Sequence, residues 1–221
     1  MKERPILFSG PMVRAILEGR KTQTRRILHL PDSAKVNRQK GTYSFYECGF
    51  SAKDEPLPKC PYGVPGDHLW VRETFQPLWV VCDVSDSDDR DYKTGAGYCV
   101  NYPATDGIVE WEDYYEGGVS AACKPSIHMP RWASRITLEI TDVYVDKLQN
   151  INGYQAFAEG VDYERIDRKS GQVIESLPEC GRPMQKMLRQ SFAKLWNELY
   201  SERGFGWDHN PYVWVIEFKR V

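Results

Sequence analysis

Gly19-Arg20-Lys21-Thr22-Gln23-Thr24-Arg25-Arg26 is the stretch on which the fold turns, with four cations and two hydroxyls in eight residues. Before it, Pro11 to Glu18 places Met12, Val13, Ala15, Ile16 and Leu17 where they can form one apolar helix face. Gly19 suits the left-handed position that ends such a helix, and Arg20 and Lys21 follow at its negative dipole end. Beyond the glycine the chain alternates. In an extended strand Thr22, Thr24 and Arg26 share one face, and Lys21, Gln23 and Arg25 share the other. A turn at Gly19 offers a second arrangement, with Lys21 and Thr24 in one pocket. A run of cations by itself also describes a basic surface turn, so the rest of the chain has to decide.

Composition narrows the choices. A chain of 221 residues is long enough for one good-sized core, and 41% hydrophobic with 13% aromatic residues describes a globular protein. No apolar run approaches the roughly 20 residues of a membrane span. Met1-Lys2-Glu3-Arg4-Pro5 has no apolar signal core behind it, so a cytoplasmic protein with reduced thiols is expected. The six cysteines are widely spaced with no C-x-x-C pair, and the four histidines are scattered. No metal site and no cofactor are expected from them. The net charge of −2 argues against coating nucleic acid by bulk attraction. Yet residues 1–28 hold seven Lys or Arg against two acids, and residues 83–116 hold ten acids against two basics. A local basic site in a near-neutral protein fits selective binding of one phosphate, nucleotide or short strand.

Outward from the basic stretch, Ile6-Leu7-Phe8 reads as a short strand that Ser9-Gly10-Pro11 breaks. Pro56, Pro58, Pro61 and Pro65 punctuate a loop-rich insertion near 30–64, with Tyr43 to Tyr46 as a hairpin arm. After the Pro65-Gly66-Asp67 turn, His68 to Phe75 is a strand, with Leu69, Val71 and Glu73 on one face. Residues 83–127 form a second insertion, acidic and rich in tyrosine (Tyr92, Tyr98, Tyr102, Tyr114, Tyr115), which reads as a long anchored loop or as a lid that stacks on a base. Ile136 to Val145 is the longest strand. Asn152 caps a helix over 153–159 that Gly160 ends. Residues 162–183 are a third polar insertion. Gln185 to Tyr200 is an amphipathic helix with Met187, Leu188, Phe192, Leu195, Trp196 and Leu199 on its apolar side. Pro211 to Phe218 is a terminal strand. This order predicts an α+β protein, mainly β, in one domain over 1–221: a small barrel of about five or six strands with packed helices and loop insertions.

Taken together these pieces resemble the ASCH family within the PUA-like superfold. They are the Gly19-Arg20-Lys21-Thr22-x-Thr24-x-Arg26 turn, Pro65-Gly66-Asp67 before Leu69-Trp70-Val71, the 136–145 strand, Ala156-x-x-Glu159-Gly160 and Val213-x-Val215-Ile216-Glu217-Phe218. The longer form, with Ser9-x-Pro11-Met12-Val13 and Ser126 to Arg135, resembles small proteins carried by phages and prophages of bacteria. One bacterial branch of the superfamily is an N4-acetylcytidine amidohydrolase, whose lysine, threonine and glutamate motif is similar to Lys21, Thr24 and Glu159. The resemblance therefore implies a hydrolase of an N4-acylated cytidine nucleoside or nucleotide. Thr24 would be its nucleophile, Lys21 the base and Glu159 the proton carrier to the leaving amine. It also implies two alternatives: an RNA- or modified-base-binding module without chemistry, and a metal-independent ribonuclease. A shared superfold does not fix the reaction. Arg26 is a candidate for holding a phosphate or a developing oxyanion, and Arg20 and Arg25 are candidates for binding substrate or nucleic acid. His128 and Arg131 offer contacts to a phosphate or base edge. Trp70 and Trp132 offer stacking faces, against the more frequent role of tryptophan in a core.

Overall fold

A computed structural model describes residues 1–31, 34–39, 42–47, 55–79, 98–108, 122–161 and 182–221. Its main feature is a mixed five-stranded sheet in the order β1-β6-β9-β10-β2. The strands are β1 (Glu3–Leu7), β2 (Gln23–Ile27), β6 (His68–Arg72), β9 (Thr137–Lys147) and β10 (Tyr212–Arg220). β1 runs parallel to β6, from Glu3 opposite His68 to Leu7 opposite Arg72. β6 pairs antiparallel with β9, and β10 with β2. The fold is thus α+β and mainly strand, but the expected closed barrel is corrected. Among the described residues the sheet is open, with β1 and β2 as its edges. β1 is five residues long and contains Pro5, which has no N–H to give a second neighbour.

The chain forms two compact units. The first comprises 1–19, 66–139 and 219–221. Here Ile6 and Phe8 are buried, as are Leu69, Val71 and Leu138, and helix α1 (Gly10–Leu17) contributes Val13, Ala15 and Ile16. Gly19, at φ +77°, ends that helix, its N–H donating to the Ile16 carbonyl. Asp67 ties the chain start to the Gly66 turn: it accepts from the Lys2 N–H and the Arg4 Nη1, each at 2.8 Å. Glu73 continues the apolar face of β6 at 1% exposure, which a lone carboxylate would not tolerate. Arg135 pays for it with two bonds, Nε to Oε1 and Nη2 to Oε2, both 3.0 Å. The Arg135 guanidinium lies 3.9 Å from the Tyr102 ring centroid. The Tyr102 hydroxyl donates to the Ala133 carbonyl at 3.0 Å, so Tyr102 is an anchor. Tyr92, Tyr114 and Tyr115 lie outside the described residues. β7 (Gln76–Trp79) pairs with β8 (Tyr98–Asn101) in a separate two-stranded sheet, and helix α2 (Pro103–Asp106) follows.

The second unit comprises 20–65 and 140–218. The expected hairpin in the first insertion is β3 (Ala34–Gln39) against β4 (Thr42–Glu47), with β5 (Glu55–Pro56) beside β4. Helix α3 (Gly153–Ala158) begins at the predicted Asn152. The Asn152 side chain accepts the Gln155 N–H, and the Gln155 side chain accepts the Asn152 N–H. That reciprocal pair satisfies two otherwise orphaned donors. Gly160, at φ +87°, leaves the helix. Helix α4 (Arg182–Tyr200) buries Leu188, Phe192 and Trp196, an i, i+4, i+8 stripe. Met187 and Leu199, expected on that stripe, are exposed. Met187, one residue before Leu188, is turned about 100° away from the seam; Leu199 has the seam's spacing but stands in the last turn of the helix. The stripe packs with Leu148, Ile151, Ala156, Val161, Val213 and Val215 into one core. The third insertion, 162–183, lies outside the described residues up to 181. Among the described residues, no helix is long and apolar enough to cross a membrane.

Candidate functional site

The site forms in the second unit, where the start of β2 meets the end of α3. Two backbone bonds set it. The Thr22 N–H donates to the Ala158 carbonyl at 2.9 Å, and the Thr22 carbonyl accepts from the Phe218 N–H at 2.8 Å. With the backbone held so, strand alternation puts Lys21, Gln23 and Arg25 on one face, as the period-two spacing predicted, and that face meets α3. All three make contact with it. Lys21 Nζ donates to the Glu159 carbonyl at 2.7 Å and to its Oε2 at 3.2 Å. Arg25 Nη1 donates to Oε1 of the same carboxylate at 2.9 Å. Gln23 Nε2 donates to the Gln155 carbonyl at 3.2 Å, and Gln155 Nε2 donates to the Tyr144 hydroxyl at 3.4 Å.

The cluster is almost dry: the side chains of Lys21, Arg25 and Glu159 are 0%, 1% and 5% exposed. Two cations share one carboxylate in a medium where charge is expensive. Burial is the dominant influence on Lys21 and lowers its pKa below the ordinary 10.5; the Glu159 carboxylate pulls it back up, and Arg26 and Arg25 push it further down. Against this, Lys21 Nζ also donates to the Gln23 carbonyl at 2.9 Å, so three acceptors surround it, which is how an ammonium is held. Burial raises the pKa of the Tyr144 phenol, and the positive charge of Arg25 acts on it the other way.

Of the residues singled out from the sequence, the fold brings Lys21, Arg25 and Glu159 together. Thr24 is buried but lies between Gln23 and Arg25 on β2, so alternation turns its hydroxyl to the opposite face. Arg26 is on that opposite face too, across from Trp214 of β10, with its guanidinium 5.9 Å from the Tyr62 ring centroid. Arg20 is partly buried just before Lys21. The remaining candidates belong to the first unit. Trp70 is buried, with the Arg72 guanidinium 4.8 Å from its ring. Trp132 packs beside Phe75, Met129 and Ala133. His128 is exposed, and Arg131 is engaged by Glu3, Nε to Oε2 at 2.9 Å.

Sequence reasoning missed Gln23, Gln155 and Tyr144. Gln23 was legible in the alternation, and Gln155 in its place three residues after the Asn152 cap. Nothing local marks Tyr144. Among the described residues no group of three His, Cys, Asp or Glu side chains is placed to hold a metal ion. Compared with protein-family models, with curated proteins and with solved structures, the chain matches none.

Proposed function

We propose that the protein cleaves the amide bond of an N4-acylated cytidine, nucleoside or nucleotide, at the Lys21–Glu159 pair. The observation that carries this reading is the 3.2 Å contact between Lys21 Nζ and Glu159 Oε2 in a nearly dry site, made across 138 residues of chain. A lysine whose pKa burial lowers is closer to acting as a base near neutral pH. A carboxylate touching that amine can receive its proton and pass it to the departing N4 amine. The resemblance of the Lys21, Thr24 and Glu159 pattern to the ASCH family supports the same assignment and, with it, a PUA-like fold. The same resemblance gives Thr24 the part of nucleophile, and because β2 turns its hydroxyl to the face opposite Lys21, that part is the one the Thr24→Ala variant tests, with water as the attacking group if turnover survives.

A second reading is recognition of RNA or a modified base without chemistry. Two observations favour it: Thr24 faces away from the Lys21 cluster, and Lys21 Nζ has three acceptors rather than a free lone pair. The test is incubation of the purified protein with N4-acetylcytidine and, separately, with single-stranded RNA, products being read by mass. Release of cytidine that disappears in Lys21→Ala and Glu159→Gln is the expected result. Thr24→Ala should abolish turnover while leaving substrate affinity nearly unchanged. No turnover on any acylated nucleoside, together with salt-sensitive RNA binding, would replace the first reading by the second. Shortened RNA would identify a ribonuclease.

A further inference from the structure

Arg25 is only 3% exposed, yet it uses a single N–H of its guanidinium. Nη1 donates to Glu159, while Nε and Nη2 are shielded from solvent and, among the described residues, have no hydrogen-bond partner. Those two nitrogens are the side-on fork of the group, with two N–H bonds pointing the same way at the spacing of two oxygens on one oxyanion. The chain contains a filled example of the same fork: Arg135 presents Nε and Nη2 to the two oxygens of Glu73, both at 3.0 Å. A buried donor left without an acceptor is costly, and here two of them lie side by side.

Lys21 shares the Glu159 carboxylate with Arg25, so that group is already engaged, and the open fork calls for a further one with negative charge spread over two oxygens.

We propose that Arg25 is an oxyanion-binding residue whose Nε–Nη2 fork takes two oxygens of one phosphate or carboxylate group. The fork stands by itself; the choice of ligand rests on the hydrolase reading. A nucleotide brings a phosphate to such a site, and cleavage of an acylated cytidine releases a carboxylate.

The experiment is a titration of the full-length wild-type protein followed by the arginine Nε–H signals in nitrogen-15 NMR, with Arg25 assigned through its own side chain. Sodium phosphate and sodium acetate are compared with sodium chloride at matched ionic strength. The Arg25 signal should shift saturably with phosphate or acetate and not with chloride. Response to phosphate alone identifies the ligand as a phosphorylated one, and response to acetate alone identifies the released acyl group. Calorimetry on Arg25→Lys, which keeps the charge and loses the fork, should show affinity about tenfold weaker or lower still. An Arg25 signal that ignores both anions, or that moves no more than with chloride, overturns the proposal and makes the fork a purely structural donor. Should Arg25→Lys not fold, the wild-type titration still decides. Turnover of N4-acetylcytidine by a protein whose Arg25 ignores both anions would sink this proposal and leave the hydrolase reading standing; anion binding without turnover would do the reverse.

Discussion

Glu159 carries more of the site than any other residue, because it is the acceptor that two buried cations share. Removing one partner of a buried ion pair costs about 3–5 kcal/mol, and Glu159→Gln leaves both cations uncompensated. That variant should therefore lose stability in this range in urea unfolding, and a loss under about 1 kcal/mol would show that the pair is screened. Lys21→Met should cost less, since it leaves Arg25 and Glu159 as a neutral pair. It also tests the titration of Lys21. The folded-state pKa lies below 10.5, so between that value and 10.5 the unfolded chain binds more protons and stability rises with pH. The stability of the wild type relative to Lys21→Met should improve as pH climbs toward 10.5. A difference that stays flat from pH 7 upward would mean that Glu159 and the two carbonyls hold the amine charged against its burial.

At the scale of elements, α3 is the part that delivers Glu159, and its position depends on two local features. Losing the Asn152 side chain should cost about 1 kcal/mol, the usual value of an N-cap, and because the helix carries Glu159, turnover should fall in Asn152→Ala as well. Equal activity with reduced stability would separate the cap from the site. Gly153 is the second feature. Helix propensity alone favours Gly153→Ala by about 1 kcal/mol. However, a Cβ there would sit 2.5 Å from the Gln185 Cα of α4, which is backbone and cannot swing aside. Overpacking of this kind costs about 1–3 kcal/mol, so the clash wins and the variant should unfold at lower urea. β2 shows how far a local pattern reaches. Its alternation already set Lys21, Gln23 and Arg25 apart from Thr24 and Arg26. It could not show that α3 lies against the first set, nor that Trp214 and Tyr62 lie on the side of the second.

At the scale of the whole molecule, the core beneath the site is the seam of α4 against β10. Phe192 is 3% exposed among Leu188, Trp196, Val213 and Val215, and Phe192→Ala should cost about 3–5 kcal/mol. Calorimetric unfolding checks this, and a loss below about 1 kcal/mol would show that the seam collapses around the gap. The sequence by itself determined what neighbouring residues decide among themselves. These are the helices after Ser9 and Asn152, their ends at Gly19 and Gly160, the buried stripe of α4, and the alternation of β2, β6 and β9. Each follows from a cap, a positive φ or a spacing of two or four residues. Only the tertiary structure decided that β1 and β2 are the edges of an open sheet, that Arg135 neutralises Glu73, and that Lys21 and Arg25 meet on Glu159 with one fork of Arg25 unfilled. The ion pairs among those outcomes join residues 62 to 138 positions apart, and the β2–β10 pairing joins residues further apart still. Such contacts depend on which surfaces are buried together and which charges must be paired there, and no local spacing encodes that.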